Sequence, residues 1–183
     1  MSDINWNDRL EVIKAVKFNK ENIHNAPEYF KKDKGVVRFA FRYADEELKC
    51  DKEFIKELIA IDHQYNIVRF MDDELKKDIN FIKELILLNQ FVIEYIDEEL
   101  FKNNKELVLF VIKLNANNFD VLVRKLGNNF VNNKELIIDI IKINFEAIKY
   151  IAKSYFYDDF WNEFRLKFER IHRENSFRIN GLN

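Results

Sequence analysis

The alternation of apolar and polar residues along the chain repeats itself. In Asp51-Lys52-Glu53-Phe54-Ile55-Lys56-Glu57-Leu58-Ile59, apolar residues stand three, four, seven and eight places after an aspartate. Asp78-Ile79-Asn80-Phe81-Ile82-Lys83-Glu84-Leu85-Ile86 repeats the pattern. It returns after Asn104 (Leu107, Val108, Val111, Ile112) and after Asn133 (Leu136, Ile137, Ile140, Ile141). Earlier copies start at Asp33 (Val36, Val37, Ala40, Phe41) and at Asp8, where Val12, Ala15 and Val16 keep the stripe and Glu11 breaks it. This spacing is one face of an α-helix, so each of the six copies predicts a helix of about ten residues. Its first residue is always Asp or Asn, the side chains best suited to accept hydrogen bonds from the free N–H groups of a helix start. Glu53, Glu106 and Glu135 add negative charge to the first turn, where the helix dipole favours it.

Eleven places on, the copies carry Asn19, Ala44, Asp62, Asn89, Asn115 and Asn144. Asparagine tolerates the left-handed conformation, so a C-terminal cap is expected there. A second apolar set follows: Ile67, Phe70, Met71 and Leu75; Val92, Tyr95, Ile96 and Leu100; Leu122, Val123, Leu126 and Phe130; Ala147, Tyr150 and Ile151. Each copy therefore reads as a pair of short helices, too small to bury its own apolar face and obliged to stack on its neighbours. The starts are 25, 18, 27, 26 and 29 residues apart. The second interval is short, and the register of Val36, Val37, Ala40, Ala44 and Leu48 predicts one continuous helix from about 34 to 49 in place of a pair. A degenerate seventh start, Asp158-Asp159-Phe160-Trp161 followed by Phe164, Phe168 and Ile171, predicts a longer capping helix. The expected architecture is an all-α, solenoid-like array of about six helix-pair repeats with a C-terminal capping helix. It forms a single domain over residues 1–174, and residues 175–183 are expected to be a flexible tail.

Composition narrows the function. Three Gly and one Pro in 183 residues leave too few turn formers for a β-sandwich or barrel. With 18 Phe, 7 Tyr and 2 Trp the chain has ample material for a core. A net charge of −2 gives no overall attraction to nucleic acid or anionic membranes. Cys50 has no second cysteine to pair with, which points to a reducing compartment. The first eight residues lack the basic and then apolar stretches of a leader, so a cytoplasmic location is expected. The longest uncharged apolar stretch, Leu85 to Ile93, is far short of the roughly 20 residues that cross a bilayer.

The repeat ends in a recognisable signature: Arg42-Tyr43-Ala44-Asp45-Glu46-Glu47-Leu48, Phe70-Met71-Asp72-Asp73-Glu74-Leu75 and Tyr95-Ile96-Asp97-Glu98-Glu99-Leu100. Together with the Asp-Lys-Glu-Phe-Ile start, this resembles the short repeats catalogued as domain of unknown function 4116, over residues 8 to about 157. The chain departs from that family in its shortened second copy and in lacking a glycine that family members often place between the two helices. The resemblance implies an all-helical repeat array and carries no established activity or functional residues.

His24, His63 and His172 are far apart, and no zinc-protease motif or Cys/His cluster accompanies them. No phosphate-binding glycine loop is present. Cys50 at the start of a turn reads as a small inert residue, and Asp62-His63 as a helix cap followed by an exposed imidazole. The triplets Asp45-Glu46-Glu47, Asp72-Asp73-Glu74 and Asp97-Glu98-Glu99 recur with the repeat and read as first-turn acids, not as paired catalytic carboxylates. Neither an enzyme nor a cofactor is expected. The segment from 155 to 168 holds seven aromatics, and residues 165–183 hold Arg165, Lys167, Arg170, Arg173 and Arg178 against Glu169 and Glu174, a net +3. Aromatics beside arginine are the composition of interface hot spots, so Tyr155, Tyr157, Trp161, Phe164, Arg165, Arg170 and Arg173 are the candidate partner-binding residues. The expected function is a non-catalytic protein-interaction scaffold. The alternative is a nucleic-acid-binding module acting through the basic C-terminal helix. No membrane contact is expected, and the oligomeric state is not set by the sequence.

Overall fold

The computed structural model describes residues 4–61, 64–131, 133–147, 166 and 170. The regular elements among them are all helical. The chain divides into two compact bodies, Met1–Leu100 and Phe101–Asn183. The predicted stripes become helices α1 (Arg9–Phe18), α2 (Lys34–Val37), α4 (Lys52–Ile61), α6 (Ile79–Leu88), α8 (Lys105–Leu114) and α10 (Lys134–Ile143). All but α2 have ten residues. In α4, α6, α8 and α10 the third-, fourth-, seventh- and eighth-position side chains are buried, from Phe54, Ile55, Leu58 and Ile59 to Leu136, Ile137, Ile140 and Ile141; α1 buries Val12, Ala15 and Val16 but exposes Glu11. Each start residue but one caps its helix. The Asp8 carboxylate accepts from the N–H groups of Leu10 and Glu11, Asp33 from Gly35 and Val36, Asp51 from Phe54, Asp78 from Phe81, and the Asn133 side chain from Leu136. The side chain of Asn104 makes no such cap bond.

In copies one, three and four the second half differs from the helix pair that the spacing predicts, whereas in the fifth copy α8 is followed by an α-helix as expected. After α1, α4 and α6 come 3-10 helices at Lys20–Asn25, Tyr65–Phe70 and Gln90–Tyr95. Further short elements follow: a 3-10 helix at Glu28–Lys32, then α5 (Asp73–Lys77) and α7 (Glu98–Lys102). A six-residue segment makes two turns of a 3-10 helix, and the stripe it needs is hard to tell from that of a short α-helix. The buried pairs are Ile67 with Val68 and Val92 with Ile93, whereas Phe70 and Tyr95 are only half-buried.

The junction asparagines are extended, not left-handed. Asn19, Asn89, Asn115 and Asn144 have φ of −144, −158, −159 and −143°. Each works in two directions. Its N–H closes the preceding helix, on the carbonyls of Ala15, Leu85, Val111 and Ile140. Its side-chain oxygen accepts from the N–H two residues on, at Glu21, Phe91, Asn117 and Glu146, and so starts the next turn. An extended residue turns the chain sharply between two helices while leaving few of their end groups unpaired.

The continuous helix expected from 34 to 49 is broken into α2, a three-residue 3-10 helix Phe41–Tyr43, and α3 (Glu46–Lys49). Ala40, at φ −144 and ψ 42, makes the first bend. Periodicity could not reveal the break, because the separate turns still bury Val36, Val37, Ala40, Phe41 and Ala44. What favours the break is tertiary: it lets the Asp45 N–H donate to the Lys31 carbonyl at 3.0 Å, the same bond that Asp72 makes to Lys49 at 3.1 Å.

Three kinds of rung join successive copies within Met1–Leu100. First, the cation following each cap reaches the next cap: Arg9 pairs with Asp33 (2.5 and 2.9 Å), Lys34 with Asp51 (2.6 Å) and Lys52 with Asp78 (2.6 Å). Lys34 and Lys52 also lie over the rings of Phe54 and Phe81. Second are the backbone bonds from Asp45 and Asp72. Third, His24 meets the Tyr43 ring edge-on at 4.6 Å, Arg42 lies 5.5 Å from the Phe70 ring and Arg69 lies 5.2 Å from the Tyr95 ring. The aromatic of the terminal signature is thus the acceptor of this third rung. The next residue, Ala44, Met71 or Ile96, is core, and the aspartate after it caps the last short helix of its copy.

In the second body, α9 (Asn118–Val131) is broken at Gly127, whose φ of 59 and ψ of −156° suit only glycine. Asn118, 8% exposed, donates its side-chain amide to the Val111 carbonyl, as Asn22 does to Ala15 in the first body. Lys105 pairs with Asp139 at 2.7 Å, and the Asn144 amide donates to the Ile112 carbonyl at 3.0 Å.

Candidate functional site

Of the sequence-predicted partner-binding residues, Tyr155, Tyr157, Trp161, Phe164, Arg165 and Arg173 lie outside the described residues, as do the capping helix apart from Leu166 and Arg170, the tail 175–183 and the Asp62-His63 pair. Arg170 is helical and exposed. The geometry of a site can be built elsewhere, in the first body, where the second copy is short.

Copies one and three each place a six-residue 3-10 helix after their first helix, at Lys20–Asn25 and Tyr65–Phe70. Copy two has three residues in the same role, Phe41–Tyr43. The missing turn leaves a cleft of about 170 Å³ between its neighbours. Ala40, Phe41 and Ile67, each at most 2% exposed, form an apolar floor, and Phe70 makes a wall. Lys20, Glu21, Arg42 and Asn66 are exposed and surround the mouth. Gln64 completes the lining and donates its amide to the Arg38 carbonyl.

The charges at the mouth are not equivalent. Glu21 accepts a hydrogen bond from the Tyr43 hydroxyl and lies 3.6 Å from His24, and that bond holds the Tyr43 phenol above its ordinary range. Arg42 lies 5.2 Å from the Tyr43 ring and 5.5 Å from the Phe70 ring. Rings engage the flat of a guanidinium and leave its N–H edge available. Neither Arg42 nor Lys20 has a carboxylate partner among the described residues. The sequence pattern places Phe70 in an apolar set and Arg42 in the terminal signature without assigning either, or Lys20, to a site; the signal that marks them is the 18-residue interval.

The remaining candidates fall into structural roles. The acids of the three triplets cap or open short helices, and Glu46, Asp73 and Glu74 pair with lysines three residues on. Among the described residues no group of three or more His, Cys, Asp or Glu is placed to hold a metal ion. Cys50 is exposed; desolvation and the neighbouring Asp72 carboxylate push its thiol above the ordinary range, which holds back the reactive thiolate. No helix among the described residues is long and apolar enough to cross a membrane.

No curated protein and no solved structure matches the chain. Residues 58–101, which run from the middle of α4 through α6 to α7 and include two of the three terminal signatures, match the family model described as Domain of unknown function (DUF4116).

Proposed function

We propose that this protein is a non-catalytic scaffold for protein–protein interaction, in which the copies stack into a curved solenoid. The stacking is supported by the cation-to-cap and aromatic rungs recurring across intervals of 25, 18 and 27 residues, with the backbone rung across the first two. The binding reading rests on one observation: in the first body the last residue of each ten-residue helix is apolar and exposed at the same repeat position. Phe18 is 91% exposed, Ile61 63% and Leu88 44%. Exposed apolar side chains are ordinary when scattered; recurrence at one position of a repeat is the pattern of an extended binding surface. Phe91, stacked on Tyr65 at 5.5 Å, adds an aromatic exposed at 66%.

The test is affinity capture from lysate with quantitative mass spectrometry, with and without nuclease, comparing the natural chain with Phe18→Ser/Ile61→Ser/Leu88→Ser. A stoichiometric protein that survives nuclease and is lost with the triple variant supports the scaffold. Recovery that depends on nucleic acid, or no recovered protein at all, overturns it.

A further inference from the structure

We propose that the cleft over the shortened second copy binds the C-terminal carboxylate of a partner protein whose last side chain is aliphatic, with Arg42 and Lys20 holding the carboxylate. The inference rests on the scaffold reading and specifies what one of its surfaces recognises. Size is the first argument. At about 170 Å³ the cleft is well below the roughly 300–1,000 Å³ of pockets that enclose drug-sized ligands. It suits a single side chain. The order of polarity with depth is the second. Ala40, Phe41 and Ile67 are buried at the floor, while Arg42 and Lys20 are exposed at the mouth. A glutamate entering from solvent would bring its carboxylate to the apolar floor and leave its stem beside the cations. A chain terminus reverses that order: the aliphatic side chain goes down and the carboxylate stays at the mouth.

The third argument is the state of the charges. Glu21 is engaged by Tyr43 and His24, whereas Arg42 is held against two rings with no carboxylate partner among the described residues. A guanidinium so placed presents two parallel N–H groups, the geometry that matches a carboxylate bidentately. Capture of chain termini is a known mode of peptide recognition. The short second copy, which looks like a defect in the repeat, is then the feature that opens the site.

The experiment is fluorescence anisotropy with a labelled hexapeptide ending in leucine, as the free acid and as the C-terminal amide. A third probe is an amidated hexapeptide with an internal glutamate. The free acid is expected to bind and the two amidated probes to bind at least about tenfold more weakly, the loss typical of a charge-assisted hydrogen bond. Arg42→Gln is expected to lower affinity for the free acid by a similar factor, with Arg42→Lys intermediate. Because Arg42 also stacks, Lys20→Gln serves as the second variant; Lys20 is exposed, so its thermal midpoint should be unchanged while its affinity falls. Equal binding of acid and amide, no binding of the free acid, or binding undiminished in both glutamine variants overturns the inference. A protein captured from lysate equally by the natural chain and Arg42→Gln would sink this site and leave the scaffold standing; absence of any captured protein would sink the scaffold itself.

Discussion

Gly35 sits in the first turn of α2, where glycine is a poor helix former, and the reason is its neighbour. A Cβ at this position would overlap the Arg9 guanidinium, which reaches across to the Asp33 carboxylate. Replacing Gly by Ala inside a helix ordinarily stabilises by about 0.5–1 kcal/mol. Here Gly35→Ala is expected to gain none of that in thermal or urea unfolding, because Arg9 must swing off Asp33. Asp33 also explains part of the expected response to acid. The hydrogen bond from Arg9 holds its carboxyl below the usual carboxylate range, and Lys34 and Lys52 do the same for Asp51 and Asp78. A depressed folded-state value means that the unfolded chain takes up protons first, so this stability is complete above about pH 4 and is lost as pH falls through the lower folded values. The triple variant Asp33→Asn/Asp51→Asn/Asp78→Asn keeps side chains able to cap and removes the charges; its stability should vary less between pH 5 and pH 2 than that of the natural chain. An unaltered slope would mean that the latches carry no linked protons. The caps themselves were legible in the sequence because a cap lies next to the helix it serves. The latches were not, since Arg9 and Asp33 are 24 residues apart and no local rule pairs them.

At the scale of elements, the apolar stripes located every ten-residue helix, because 3.6-residue periodicity over two to three turns has no competitor. It failed over shorter spans. Six residues fit a 3-10 helix and an α-helix about equally, and the three separate turns between 34 and 49 kept the register of a single helix. The junction asparagines were located correctly and given the wrong backbone. The two geometries differ in a measurable way: a left-handed asparagine is improved by glycine, whereas an extended one that accepts from the second N–H onward is harmed by losing its oxygen. Asn89→Ala is therefore expected to destabilise by about 1 kcal/mol, with Asn89→Asp near neutral. Gly127 is the opposite case. A Cβ there would touch nothing, so Gly127→Ala isolates the backbone term, and its φ of 59 and ψ of −156° put the cost at about 1–3 kcal/mol. Leu85, fully buried in α6, supplies the reference for core loss: Leu85→Ala should cost about 2–5 kcal/mol in the same unfolding series.

At the scale of the molecule, the partner-binding residues expected from the sequence lie, Arg170 apart, outside the described residues. Sequence composition drew attention to the aromatic and basic residues beyond 155, while the described geometry directs it to the first hundred residues. Three exposed apolar side chains and one cleft are separated there by tens of residues in the chain and related only through the repeat. Phe18→Ser, Ile61→Ser and Leu88→Ser should each change the unfolding free energy by no more than about 0.5 kcal/mol, as substitutions at exposed positions usually do, so the triple variant stays within about 1.5 kcal/mol, and circular dichroism will show whether a loss of capture comes from the surface or from unfolding.

The latch between copies makes the joint independent of the length of the copy it closes. Lys34 holds Asp51 across 17 residues and Lys52 holds Asp78 across 26, yet both ion pairs measure 2.6 Å. In the first three copies the joint runs from the residue after the cap to the cap of the next copy, and is indifferent to the length in between. A copy excised whole, such as residues 51–77, would leave Lys34 facing Asp78 with the chemistry of the joint unchanged. The abbreviated second copy keeps the joint at both of its ends, Arg9 to Asp33 before it and Lys34 to Asp51 after it.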